Sequence, residues 1–137
     1  MTRLAILLEV RRLLGNPARF CLGASAQDAE RSVVPPDDPR AVRWCLTGAL
    51  SRFAKSARQL ELLLAFLKGI AFPGKEGSLA GWSDQNRWRE VLVLLDRGIT
   101  AEQERLAERR AVASRRLASV WRSRSRPTQR KANRSRT

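Results

Sequence analysis

The stretch QLELLLAFLKGIAF, residues 59–72, constrains the fold more than any other part of the chain. Its leucines, phenylalanine and isoleucine fall on nearly every side of a helical wheel, so a helix over 57–70 has almost no polar face to offer water. The segment is too short to span a bilayer and contains Glu61 and Lys68, so other helices of the same chain must cover it. It is therefore expected to be the central, most buried element. Ser56 followed three residues later by Gln59 marks its start as a capping box.

The covering elements are expected to be helical too, because Leu, Ala, Arg and Glu dominate while Tyr is absent and Val and Ile are few. With 137 residues, 43% of them hydrophobic, the chain can build one core with an appendage. The expected fold class is all-α: a compact bundle of about four helices with a protruding C-terminal helix and a disordered basic tail. Residues 1–108 form the helical domain of this reading and residues 109–137 an Arg-rich extension.

The first helix is expected over residues 3–14, with Leu4, Leu7, Leu8 and Leu14 inward and Asn16-Pro17 as its stop. SVVPPDDP, residues 32–39, should be extended, and Asp38-Pro39 reads as the N-cap and first position of a second helix. On that helix Val42, Cys45, Leu46, Ala49, Leu50 and Phe53 share an apolar face. Trp44 lies opposite, beside Arg40, Thr47 and Ser51, and needs either residues 18–36 folded over it or an external partner. Gly48 weakens the helix by about 1 kcal/mol relative to Ala, which suits a close approach by another segment. FPGKEGSLAG, residues 72–81, reads as a Gly-rich loop, with Ser83 or Asn86 capping the last helix. In that helix Trp88, Leu92, Leu95 and Ile99 should pack on the core, after which the seam meets Glu102 and Arg109 and weakens. The helix is expected to run to about residue 123, and SRSRPTQRKANRSRT to take up structure only on meeting an anion.

Little in the chain suits catalysis. Two cysteines, Cys21 and Cys45, and no histidine provide neither a four-ligand zinc set nor a thiol with a base beside it. GIAFPGKE, residues 69–76, carries Gly69, Gly74 and Lys75 like a phosphate loop, but Glu76 replaces the magnesium-binding hydroxyl and Pro73 removes a backbone donor. Asp84 and Glu90 are expected in the first turns of a helix, where negative charge is favoured, and Asp96 on a solvated face beside Arg97. The expectation is a non-enzymatic protein with no cofactor and no metal. Glu9 and the Arg11-Arg12 pair interrupt the first apolar run, so MTRLAILLEVRRLLG is not read as a signal peptide, and reduced thiols in a bacterial cytoplasm follow.

Charge supplies the strongest functional signal. The chain has 27 Lys or Arg against 13 Asp or Glu, a net +14, yet residues 1–108 contribute only +3. Residues 109–137 hold 11 basic groups and no acid. Arg109, Arg110, Arg115, Arg116, Arg122, Arg124, Arg126, Arg130 and Lys131 are therefore candidate phosphate ligands for RNA or DNA, and Trp121 a candidate for stacking on a base. The rival expectation is a protein-interaction module, such as a phage-type inhibitor or adaptor, docking on an acidic host protein or nucleoprotein complex. Its candidate face comprises Arg40, Trp44, Thr47, Ser51, Trp82 and Asp84. A basic amphipathic helix at a membrane surface is a third reading, weakened by the few apolar anchors in the tail.

RFCLGASAQD, AVRWCLTGALSRF and GWSDQNRWREVLVLLDRGI together resemble a small bacterial and phage family, domain of unknown function 6197, over about residues 3–104. Trp44, Cys45, Leu46, Gly48, Ala49 and Leu50 match its Trp-Cys-Leu-x-Gly-Ala-Leu helix, and Trp82 and Asp84 its later Trp-Asn-Asp segment, with Ser83 in place of Asn. Gly98 stands where that pattern has Ala. The resemblance implies a helical domain of bacterial or phage origin and no particular activity.

Overall fold

In the computed structural model the backbone is described for residues 1–74 and 76–134, and side chains, Lys75 apart, as far as Ser125. Helix α1 (Arg3–Leu14) starts where the Thr2 hydroxyl accepts from the Ala5 amide at 3.1 Å, and Arg11 and Arg12 occupy its last turn, where cations are favoured. Its fully buried face is Ile6, Leu7, Val10 and Leu14. Leu8, expected inward, is 46% exposed because α2 (Leu46–Phe53) packs against α1 on the Ile6 and Val10 side.

Between these helices the chain forms a short ladder. Strand β1 (Ala26–Gln27) pairs antiparallel with β2 (Arg43–Trp44), placing Ala26 opposite Trp44. Phe20 bridges to Trp44, and the Cys21 amide donates to the Trp44 carbonyl at 3.1 Å. The carboxylate of Asp28 accepts from the Glu30 and Ser32 amides at 3.0 and 2.8 Å, fixing the turn in which Arg31 has φ 65°.

This ladder corrects the second helix. The sequence signals at Asp38-Pro39 suggested a start there, whereas α2 begins at Leu46. Asp38 instead closes a turn on the Arg40 amide at 2.8 Å, and the backbone of Arg43 and Trp44 is engaged in the ladder. Cys45 is the N-cap, its Sγ accepting from the Gly48 amide at 3.3 Å. Val42, expected in the core, is consequently 41% exposed, while Trp44 is 5% exposed. The covering of Trp44 by the preceding loop is the arrangement found. Its indole Nε1–H donates to the Pro36 carbonyl at 2.9 Å and the Arg52 guanidinium lies over its ring at 4.9 Å.

Helix α3 (Ala57–Ala71) has the expected cap, Ser56 Oγ accepting from the Gln59 amide at 3.1 Å, but it is not the most buried element. Only Leu63 and Leu67 are buried along it and Leu62 is 45% exposed, so one stripe faces inward and α1 and α2 hold the centre. The stretch expected as loop up to residue 81 is partly helical: α4 (Leu79–Gln85) is capped by Ser78, whose Oγ accepts from the Gly81 amide at 3.0 Å. Ser83 therefore lies inside α4, buried and with its Oγ unpartnered, while Asn86 ends that helix. Helix α5 (Trp88–Arg134) starts with the Trp88 indole donating to the Leu14 carbonyl at 2.6 Å.

The fully buried stripe of α5 is Val91, Leu94, Leu95 and Gly98; of the expected Trp88, Leu92, Leu95 and Ile99, Leu95 belongs to it and Leu92 and Ile99 pack half-buried against the core beside it. It closes on Glu102, which is 2% exposed and meets Arg3 at 3.3 Å, the Arg3 guanidinium itself lying 4.5 Å from the Phe66 ring centroid. Packing divides the chain into Met1–Glu102 and Gln103–Thr137, slightly before the change in charge at 109. The structure is thus an all-α fold with a minimal two-stranded ladder and a long C-terminal helix.

Two glycines separate a forced requirement from a tolerated one. A Cβ on Gly48 would stand 1.8 Å from the Ser25 carbonyl oxygen, a backbone atom, so Gly48→Ala should destabilise by about 3 kcal/mol. At Gly98 the nearest obstacle is Cδ2 of Leu67, 2.8 Å away, a side-chain rather than a backbone atom, and the cost of shifting this buried residue is set against the higher helix propensity of Ala, so Gly98→Ala should cost about 1 kcal/mol, less than Gly48→Ala. Urea unfolding of both variants checks the pair; equal effects would contradict the packing described.

Burial, reinforced by neighbouring Cys45 and opposed by Arg43, pushes the Cys21 thiol from 9.0 up to about 11. The neutral thiol is favoured in the folded chain, so its contribution to stability is complete below pH 9 and is lost as pH rises toward 11. Cys21→Ala should flatten the fall in stability across that window, measured by unfolding at a series of pH values.

Candidate nucleic-acid interface

From Gln103 onward α5 forms its own unit. Ala113 through Ser125 are all exposed, among them Leu117, Val120 and Trp121, the last at 75%. Arg115 pairs with Glu108 at 3.3 Å with both side chains in water, an arrangement worth little. Arg109, Arg110, Arg116, Arg122 and Arg124 have no ion-pair partner among the described residues. Helix geometry, at about 1.5 Å per residue, spreads Arg109 to Arg124 over roughly 22 Å. The backbone of α5 continues to Arg134, further than the sequence pattern indicated, while the side chains of Arg126, Arg130 and Lys131 lie outside the described residues.

The alternative face does not assemble as one surface. Trp44 is interior, Arg40 is held by Asp38 at 3.0 Å, and the Thr47 hydroxyl lies 3.1 Å from Cys45 Sγ. Ser51 is half-buried on α2. Asp84 is exposed in the last turn of α4, not the first turn of the following helix, and Trp82 on α4 is half-buried. Asp38 is held below the usual carboxylate range by hydrogen bonds from Arg40, first its side chain and then its amide.

Trp82 lines two open grooves, neither of which includes Trp44 or Asp84. The one of about 370 Å³ is bounded by Ala71, Trp82, Arg89, Glu90, Val93 and Arg97, with Val93 57% exposed. Sequence reasoning missed it, because α4 was hidden in an expected loop. Its readable signal was Ser78, an N-cap preceding Leu79 and Trp82.

Other candidates stay apart. Asp96 binds Arg11 at 2.8 Å, Glu90 is in the first turn of α5, and no cluster of three metal-ligating side chains occurs among the described residues. Gly69 is within α3, Gly74 follows it in a turn with φ 71°, and Lys75 lies outside the described residues. No described helix is long and apolar enough to cross a membrane. No family model, curated protein or solved structure matches the chain, so the resemblance drawn above stands on its quoted residues alone.

The four tryptophans differ enough in environment to check the exposure of the interface. Trp121→Phe should lower acrylamide quenching of total tryptophan fluorescence, whereas Trp44→Phe should raise it by removing a protected emitter. Equal effects would place Trp121 in the interior.

Proposed function

We propose that this is a non-enzymatic nucleic-acid-associated protein that binds RNA or DNA phosphates through the Arg-rich part of α5, alone or within a nucleoprotein complex. The observation that carries the reading is the charge of residues 109–137, 11 basic groups without an acid, together with the exposure of Arg109, Arg110, Arg115, Arg116, Arg122 and Arg124 on α5. Guanidinium groups match phosphate oxygens with two parallel hydrogen bonds, and release of condensed counterions supplies the affinity. Trp121, at 75% exposure, offers a ring to an unstacked base. The setting is the cytoplasm of a bacterium or of a phage-infected cell. Membership of residues 3–104 in the family named above belongs to this proposal and adds no activity to it.

A protein partner is the second reading, favoured by the open groove beside Trp82, where Val93 is 57% exposed and Arg89 and Arg97 line the wall. An acidic host protein with an apolar side chain would suit it. Nucleic acid should compete with a partner held by α5 beyond Gln103 and leave a partner in this groove in place.

Fluorescence anisotropy with labelled RNA and duplex DNA tests the main reading. Six engaged phosphates give a slope of about −5 for log affinity against log salt, and a loss of roughly a thousandfold between about 50 and 200 mM. Changing Arg109, Arg110, Arg115, Arg116, Arg122 and Arg124 to Gln in the full chain should abolish that binding. Salt-insensitive binding, or binding unchanged in this variant, would overturn the proposal.

A further inference from the structure

The described arginines of the extension do not share one side of the helix. At about 100° per residue, with Arg124 at zero, Arg110 lies at roughly 40°, Arg122 at roughly 160°, Arg115 at roughly 180°, Arg116 at roughly 280° and Arg109 at roughly 300°. They form three ridges: Arg110 with Arg124, Arg115 with Arg122, and Arg109 with Arg116. The first two ridges face nearly opposite ways. All six side chains are exposed.

We propose, resting on the nucleic-acid reading above, that α5 between Arg109 and Arg124 enters the major groove of duplex DNA, with the Arg110–Arg124 ridge on one strand and the Arg115–Arg122 ridge on the other. A flat or convex partner meets one side of a helix and leaves the opposite ridge in water. A groove presents phosphates on two walls. The major groove of B-form DNA, about 12 Å wide, admits a helix whose diameter with side chains is about 10–12 Å, whereas the major groove of duplex RNA is too narrow.

The arc between the two opposed ridges holds Ala111, Ser114, Ala118 and Ser125, which are short, with the large ring of Trp121 at its Arg110 edge, at roughly 60°. Glu108 stands next to the second ridge and already holds Arg115 at 3.3 Å, an exposed pair that a phosphate can replace. A lipid surface is the poorer match. Leu117, Val120 and Trp121 share their arc with Arg110 and Arg124, so burying the apolar groups in a bilayer would carry two guanidinium groups with them.

The test uses the full chain and three double variants: Arg110→Ala with Arg124→Ala, Arg115→Ala with Arg122→Ala, and Arg109→Ala with Arg116→Ala. Each is titrated with duplex DNA, duplex RNA of the same sequence, single-stranded DNA and vesicles of phosphatidylserine and phosphatidylcholine. Circular dichroism confirms that each variant keeps its helix. The first two variants should each weaken duplex DNA binding at least about tenfold and reduce the salt slope by about two, and the third should do less. The parent chain should also protect guanine N7, which lies in the major groove, from dimethyl sulfate.

Loss confined to one of the two opposed ridges, a preference for duplex RNA, single strands or vesicles, or unprotected guanine N7 would overturn groove entry while leaving a phosphate-binding helix. Failure of the parent chain to bind any nucleic acid would overturn the parent reading as well.

Discussion

Where the backbone of Ser25 crosses the first turn of α2, Gly48 leaves no Cβ between the two segments, and the Cys45 amide donates to the Ser25 carbonyl at 3.2 Å across the same gap. Much else depends on that crossing. It holds the loop in register so that Ala26 meets Trp44, the Trp44 ring turns inward, and its Nε1–H reaches Pro36. It also sets the start of α2 at Leu46, and from there Leu46, Ala49 and Leu50 pack against Ile6, Leu7 and Val10 with no exposure to solvent. Backbone groups of Cys21, Ser25, Ala26, Gln27, Asp28 and Val34 in this otherwise irregular segment are paired in the process.

Local chemistry made part of this visible in the sequence. The bounds of α1, the capping pair Ser56 and Gln59, the inward Leu95 and the close approach at Gly48 all follow from signals within a few residues of one another. The short ladder does not, because it depends on Ala26 and Trp44 meeting across eighteen residues, a tertiary constraint that overrides the helix signal of Asp38-Pro39. The surplus of leucines in α3 was misleading for a related reason. Hydrophobicity on all sides shows what a helix can bury, and the neighbours decide what it does bury, here Leu63 and Leu67. In the basic segment, composition shows the charge, whereas the groove beside Trp82 depends on the placement of α4.

The chain's charge is unevenly distributed. Residues 1–108 are close to balanced, and their ion pairs, such as Arg11 with Asp96 and Arg3 with Glu102, tie elements of the core together. Past residue 108 acidic residues cease. Arginines that repel one another along a helix add little to its stability, and of the six described between 109 and 124 only Arg115 has an ion-pair partner among the described residues, Glu108. The proposed anionic ligand would supply their counter-charge.

Amide hydrogen exchange on the full chain, with and without duplex DNA at low salt, tests this account most directly. Duplex DNA should add protection over residues 109–124 and leave 1–102 little changed. Protection centred on the groove between Trp82 and Arg97, or none along α5 beyond Gln103, would contradict it.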